Sequence, residues 1–274
     1  MKFKKLIVLA LTVITAAGLM AGCGSQSTSQ APQEKKEITV GVTPGASEQI
    51  MEIVKQEAAK DGLTVHVKTF SDYVTPDQAL ASGDIDLNSF QHKPFLDAFN
   101  EKNGTNLVSI GTTYLAPLGL YSHKYKAVAD IPDGATIAIP NDPSNGGRAL
   151  LLLQKQGLLS LNDSKETTKM TVQDITANPK NLKIIELEAA QLPRSLDDTA
   201  ASIINAGYAI SAGLSSQKDG IAVEDNTSPY VNIIASREKD KDDPAYKKFV
   251  KAFQSEAVKN YINKEFATVL VPVW

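Results

Sequence analysis

The chain has 274 residues, a formal net charge of −3, 6% aromatic residues and a single cysteine, Cys23. That length suits one large domain or two lobes of ordinary size. The acidic balance excludes a phosphate-gripping basic face, the few aromatics argue against a base-stacking platform, and a lone cysteine leaves no disulfide, thiolate metal site or cysteine nucleophile in the body.

Lys2, Lys4 and Lys5 precede an uncharged run, residues 6–22, that ends in Leu19-Met20-Ala21-Gly22-Cys23. A basic start, an apolar stretch and small residues before a cut predict a secretory signal over 1–22. The run is short for a membrane span, which needs about 20 apolar residues, although a retained anchor would tether the body equally well. Cysteine directly after Ala-Gly resembles a bacterial lipobox, in which that thiol receives lipid, with Met20 where Leu is commoner. Cleavage removes three lysines and no acids, so the net charge falls to −6. Residues 23–37 are then the lipidated cysteine and a linker without large apolar groups; fourteen such residues reach about 20 Å on average.

From Glu37 strand and helix signals alternate. Ile38–Val42 predicts a strand, Pro44-Gly45 a break, Ser47 a helix cap, and Ile50, Met51, Val54 and Ala58 a helix ended by Gly62. Leu63, Val65 and Val67 predict a strand with His66 on its wet face and without a role. Thr75-Pro76 opens a short helix that Gly83 ends. A strand over 84–90, a helix over 94–103 and a strand over 107–114 complete a first βα block. A second begins with a strand over 135–139, a helix from Asp142-Pro143 to Gly157 and a strand over 182–187. A late strand over 230–235 and a helical region over 246–266, capped at Asp243-Pro244, close the chain. The βα order predicts parallel strands covered by helices, in two similar lobes. Ligands of such folds sit beyond the carboxyl ends of the strands, here in a shared cleft.

Several segments carry chemistry. Pro140-Asn141-Asp142-Pro143-Ser144-Asn145-Gly146-Gly147-Arg148 joins a strand to a helix, where free N–H groups attract an anion and Arg148 adds a planar fork. Asn145 is one turn away on the same face. A capped helix with a solvated Arg148 accounts for the pattern equally well; a phosphate loop does not, because Gly-Lys-Ser/Thr is missing. Phe90, His92 and Phe95 occupy another strand-to-helix junction and fit a pocket wall or a core. His92 lacks metal-ligand spacing to His66 or His123. Tyr73, in a loop after a strand, faces either the cleft or the surface. Asn205 and Asn232 interrupt apolar runs, so each is a structural amide or an acceptor for a ligand ammonium. Arg194, Asp197 and Asp198 predict an ion network near the cleft.

Together these segments resemble the NlpA/MetQ-like methionine-binding lipoproteins of bacterial ABC importers. The resemblance rests on Phe90-Gln91-His92-Lys93-Pro94, Pro140-Asn141-Asp142-Pro143 with Gly147-Arg148, Asn178-Pro179-Lys180-Asn181-Leu182, Leu192-Pro193-Arg194-Ser195-Leu196-Asp197-Asp198, Ile204-Asn205 with Tyr208-Ala209, and Ser228-Pro229-Tyr230-Val231-Asn232. It spans about Ile38 to Trp274. It implies an α/β, two-lobed periplasmic-binding-protein fold of type II, with two mostly parallel sheets flanked by helices and a cleft between them. The first lobe would take 38–120, completed by 232–274, and the second 121–231, with hinge strands near 118–122 and 227–232.

By the same resemblance Arg148 and Asn145 hold an amino-acid carboxylate, Asn205 and Asn232 its polar backbone end, and Tyr73, Phe90 and His92 a thioether slot, with Tyr208 beside them. Sulfur packs well on aromatic edges, gaining roughly 0.3–1.5 kcal/mol per contact. Ala206-Gly207 replaces the Thr-Thr common after the asparagine, which leaves L-methionine, D-methionine, a methionine dipeptide or another small apolar amino acid open as ligand. The implied partners are an ABC permease with its ATPase, and the membrane through Cys23. A monomer without cofactor, metal or nucleic acid is expected on the extracytoplasmic face. The competing classes are a periplasmic hydrolase, for which no Gly-x-Ser-x-Gly motif exists, and a structural lipoprotein, which needs no pocket.

Overall fold

A computed structural model describes residues 35–162, 166–225, 228–267 and 269–274. The expected signal, Cys23 and nearly all of the linker lie outside the described residues, as does Thr227 of the expected hinge.

The first half runs β1 (Glu37–Val42), α1 (Ala46–Lys60), β2 (Thr64–Thr69), α2 (Thr75–Ser82), β3 (Leu87–Asn88), α3 (Lys93–Asn103) and β4 (Leu107–Leu115). The chain then crosses to β5 (Gly119–Tyr121), β6 (Thr136–Pro140), α4 (Pro143–Lys155), β7 (Ser160–Leu161), β8 (Ile175–Ala177), β9 (Lys183–Leu187), α5 (Leu192–Ser195), β10 (Ala201–Ile204), α6 (Ala206–Ser211) and β11 (Gly220–Val223). It returns through β12 (Val231–Arg237) to α7 (Pro244–Phe253), α8 (Glu256–Glu265) and β13 (Val271–Pro272).

Two sheets result, ordered β13-β4-β12-β3-β1-β2 and β11-β5-β10-β6-β9, beside a small β7-β8 pair. Each contains three parallel strands, β3-β1-β2 and β10-β6-β9. Each is then joined antiparallel by the strand that arrives from the other lobe, β12 in the first and β5 in the second. The expectation of mostly parallel sheets is therefore corrected to mixed ones. A strand entering from the opposite lobe runs against its neighbours, and residue patterning within one segment does not report that direction. Sheet membership changes between Leu115 and Gly119, slightly before the expected limit at residue 120, and changes back between Val223 and Val231.

Alternation along the strands explains the layers. Ile38, Val40 and Val42 pack with Ile50, Met51 and Val54 of α1 and Tyr246, Phe249 and Phe253 of α7. On the opposite face, Phe70, Leu80, Leu96 and Phe99 pack under α2 and α3. In the second lobe Ile137 and Ile139 meet Leu150 and Leu153 of α4, while Ala138 faces Leu192, Leu196 and Tyr208. Each fully buried large apolar side chain contributes about 1.5–3 kcal/mol.

Local departures have local causes. Gly45, at φ 94°, turns the chain into α1, so Ser47 is not the cap but lies in the first turn, where its Oγ meets the Tyr114 hydroxyl at 2.8 Å. The carboxylate of Asp72 accepts from the N–H groups of Val74 and Thr75, both at 2.7 Å, ahead of α2. The last helical region is two helices, because Ser255 accepts from the N–H of Val258 and starts α8 afresh. Arg194 is exposed and makes no ion pair among the described residues, whereas Asp197 meets His123. The expected internal network there is thus corrected to a solvated surface, with the short helix α5 turning Arg194 outward.

Candidate ligand-binding site

The carboxyl ends of β1, β3, β6 and β10 converge on one cleft between the lobes. From the first lobe it is lined by Thr43, Ser47, Tyr73, Phe90, Gln91, His92, Phe95, Tyr114 and Asn232, and from the second by Asn145, Arg148, Asn205 and Gly207. Seven of the eight expected ligand residues therefore face one space. Tyr208 does not line it; its hydroxyl donates to the Ser71 carbonyl at 3.0 Å, and its ring backs that of Tyr73 at 4.9 Å.

The lobes touch across the cleft. Besides the Tyr208 contact, His92 Nε2 lies 3.0 Å from Asn145 Oδ1. Gly45 sits so close to α6 that a β-carbon on it would come within 2.4 Å of the Gly207 carbonyl oxygen. Glycine at position 45 serves both the positive φ and this approach.

His92 caps α3, its Nδ1 accepting from the N–H of Phe95 at 3.2 Å. Burial, reinforced by the Arg148 charge, pushes its pKa down to about 3. The ring is thus neutral, with its proton on Nε2, and it donates to Asn145 Oδ1. Asp142, the cap of α4, accepts from Asn145 Nδ2 at 3.1 and 3.0 Å and from its backbone N–H at 2.9 Å. Both partners therefore fix which way the Asn145 amide points. Asn145 Oδ1 also accepts from Asn205 Nδ2 at 3.0 Å, which leaves the other amide atom of this cleft-lining residue, Asn205 Oδ1, outside that bond. That oxygen is buried and has no hydrogen-bond partner among the described residues. An unpaired buried acceptor costs about 1–3 kcal/mol, and a ligand donor offsets it.

Arg148 is buried, with its guanidinium 4.6 Å above the Tyr230 ring. Its Nε donates to both Glu224 oxygens, at 2.9 and 3.0 Å, and Nη2 donates to Glu224 Oε2 and to the Ala116 carbonyl at 2.9 Å. Nη1 makes no hydrogen bond among the described residues and is the donor left for a ligand. Glu224 escaped the sequence reading because it stands 76 residues from Arg148 with no motif around it. The signal that could have found it is general: an arginine in an apolar helix needs a counter-ion.

Beyond these polar groups the walls are aromatic. Tyr73, Phe90 and Phe95 form a mutual cluster with centroids 5.6–6.0 Å apart, and Phe95 also meets His92. Asn232 is less free than expected, since its Nδ2 donates to the Phe90 carbonyl at 3.3 Å. Gln91 connects the wall to a buried acid: its Nε2 donates to Asp77 Oδ1 at 2.6 Å, as does Asn88 Nδ2 at 2.7 Å. Among the described residues no group of three or more His, Cys, Asp or Glu side chains could hold a metal ion, and no helix is long and apolar enough to cross a membrane.

Burial raises the Asp77 pKa from 3.8 to about 7. The folded protein then favours the proton, so this group's contribution is fully present below about pH 4 and is lost as pH rises through about 7. The loss is on the order of 4 kcal/mol, from the linkage of pKa to stability. His92 acts in reverse, its contribution being lost as pH falls from about 6.5 toward 3. The stability gain of Asp77→Asn over the unaltered protein should grow steadily between pH 4 and 7.5 in urea unfolding; a gain independent of pH would show Asp77 to be ionised throughout.

A two-lobed α/β body with one interlobe cleft, polar at one end and aromatic at the other, defines a periplasmic-binding-protein fold. Residues 38–274 match the family model described as NlpA lipoprotein, and the chain belongs to that family. It is 48% identical, over the full length of both chains, to the D-methionine-binding lipoprotein MetQ of Escherichia coli K12. A nutrient-binding protein from Burkholderia cenocepacia, solved bound to methionine, superposes with a TM-score of 0.84 at 50% identity, covering 86% of this chain and all of that one. Lipoprotein Tp32 from Treponema pallidum superposes at 0.83 with 36% identity, over 87% of this chain and all of that one.

Proposed function

We propose that this chain is an extracytoplasmic receptor that captures methionine, in its L or D form, and hands it to an ABC permease driven by a cytoplasmic ATPase. The observation that carries this reading is the pairing of Asn205 Oδ1, a buried acceptor without a partner, with the one uncommitted end of the Arg148 fork. An ammonium fits the first and a carboxylate the second. The Tyr73–Phe90–Phe95 cluster offers aromatic edges to a thioether. The names of the relatives point the same way. His92 and Tyr208 bridge the lobes across the cleft, which favours a free amino acid over a longer dipeptide.

In this reading the lobes close by rotating about the two crossovers, one between β4 and β5 and the other between β11 and β12. Residues 1–22 direct export, and lipid on Cys23 holds a monomeric body at the membrane through residues 23–37. The chain binds and releases without turnover. A thermal-shift screen over free amino acids and methionyl dipeptides tests the ligand. Methionine at about one hundred times its Kd should stabilise by about 2.7 kcal/mol, roughly 5–10 °C in Tm for a body this size. No shift at millimolar L- or D-methionine would overturn the reading.

A further inference from the structure

We propose that Glu224 decides the charge class of the ligand: by neutralising Arg148, it makes the cleft select a zwitterion and reject a simple anion. This rests on the reading of the cleft as an amino-acid site. An arginine alone would make that site cationic and attractive to any carboxylate. Here both Glu224 oxygens are spent on the Nε and Nη2 edge of Arg148, and the Ala116 carbonyl takes a further Nη2 contact. Only Nη1 remains, so a ligand carboxylate meets one end of the fork and a site whose arginine charge is already balanced. The other groups add no positive charge: His92 is neutral, and Asn145, Asn205 and Asn232 are amides.

The Glu224 carboxylate is held for this task. It accepts from the Leu118 N–H at 3.2 Å and from Ser228 Oγ at 3.0 Å, while the Glu224 N–H donates to the Leu118 carbonyl at 2.9 Å. It thus binds both crossovers and turns the arginine fork to a fixed orientation. An anionic ligand without an amino group would bring uncompensated charge into the cleft and leave Asn205 Oδ1 unpaired. A zwitterion does neither.

The test compares methionine with its deamino analogue, 4-(methylthio)butanoate, by calorimetry on the full chain. The unaltered protein should prefer methionine by at least a thousandfold. Glu224→Gln, nearly the same in shape, should cut that preference at least tenfold, mainly through tighter binding of the anion, and Glu224→Asp should restore much of it. A preference within threefold of the unaltered value in a folded Glu224→Gln protein overturns the proposal. Should that variant not fold, the unaltered protein still decides: the anion should bind no more tightly than the cation methioninamide, and a clear preference for the anion would refute a neutralised arginine. If the unaltered protein binds no amino acid at all, the function proposed above fails, and the role of Glu224 with it. Binding of methionine with an unmoved ratio removes Glu224 alone.

Discussion

Arg148→Ala should lose both ligand and stability. Affinity should fall about a hundredfold or more, because a charged hydrogen bond worth roughly 1.5–3 kcal/mol disappears together with the one cation that lines the cleft among the described residues. The fold suffers as well, since the substitution strands the Glu224 carboxylate, whose side chain is only 16% exposed. Removing one partner of a fully buried pair costs about 3–5 kcal/mol, and the partial exposure of Glu224 places the cost here toward or below the low end of that range. Replacing both, as in Arg148→Met with Glu224→Leu, should recover much of the stability and none of the binding. Urea unfolding and calorimetry on the three proteins separate the two roles. Equal stability of Arg148→Ala and the unaltered chain would mean that the ion pair is not formed in solution.

Asn205→Ala should show the opposite pattern. It removes the acceptor offered to the ammonium, so affinity should drop roughly 10- to 150-fold, the scale of a hydrogen bond to a charged group. Without ligand, the variant should unfold within about 1 kcal/mol of the parent, since losing the Asn145 contact is offset by losing an unpaired buried oxygen. Calorimetry with methionine and unfolding without it supply the two readings. A large loss of stability with unchanged affinity would make Asn205 a structural amide.

The alternation of strands and helices was legible because each segment carries its own period: Ile38, Val40 and Val42 on one side of a strand, Ile50, Met51, Val54 and Ala58 along a helix. The site was legible where it used strand-to-helix turns, as at Phe90–His92 and Asp142–Arg148. What stayed hidden was set by distance. The antiparallel entry of β5 and β12 depends on which lobe the chain comes from. The partnership of Arg148 with Glu224, and the chain from Asp142 through Asn145 to Asn205, exist only after the second lobe has folded. Gly45 and Ser47 show the same limit on a small scale, because the turn that starts α1 also has to clear Gly207.

The unpaired oxygen of Asn205 has a consequence for traffic across the membrane. A penalty of about 1–3 kcal/mol on closing without cargo thins that population by roughly 5- to 150-fold. A transporter that recognises the shut form would then seldom be presented with a receptor carrying nothing. One amide, held in place by Asn145 of its own lobe, would in this way guard the cell against hydrolysing ATP to import nothing.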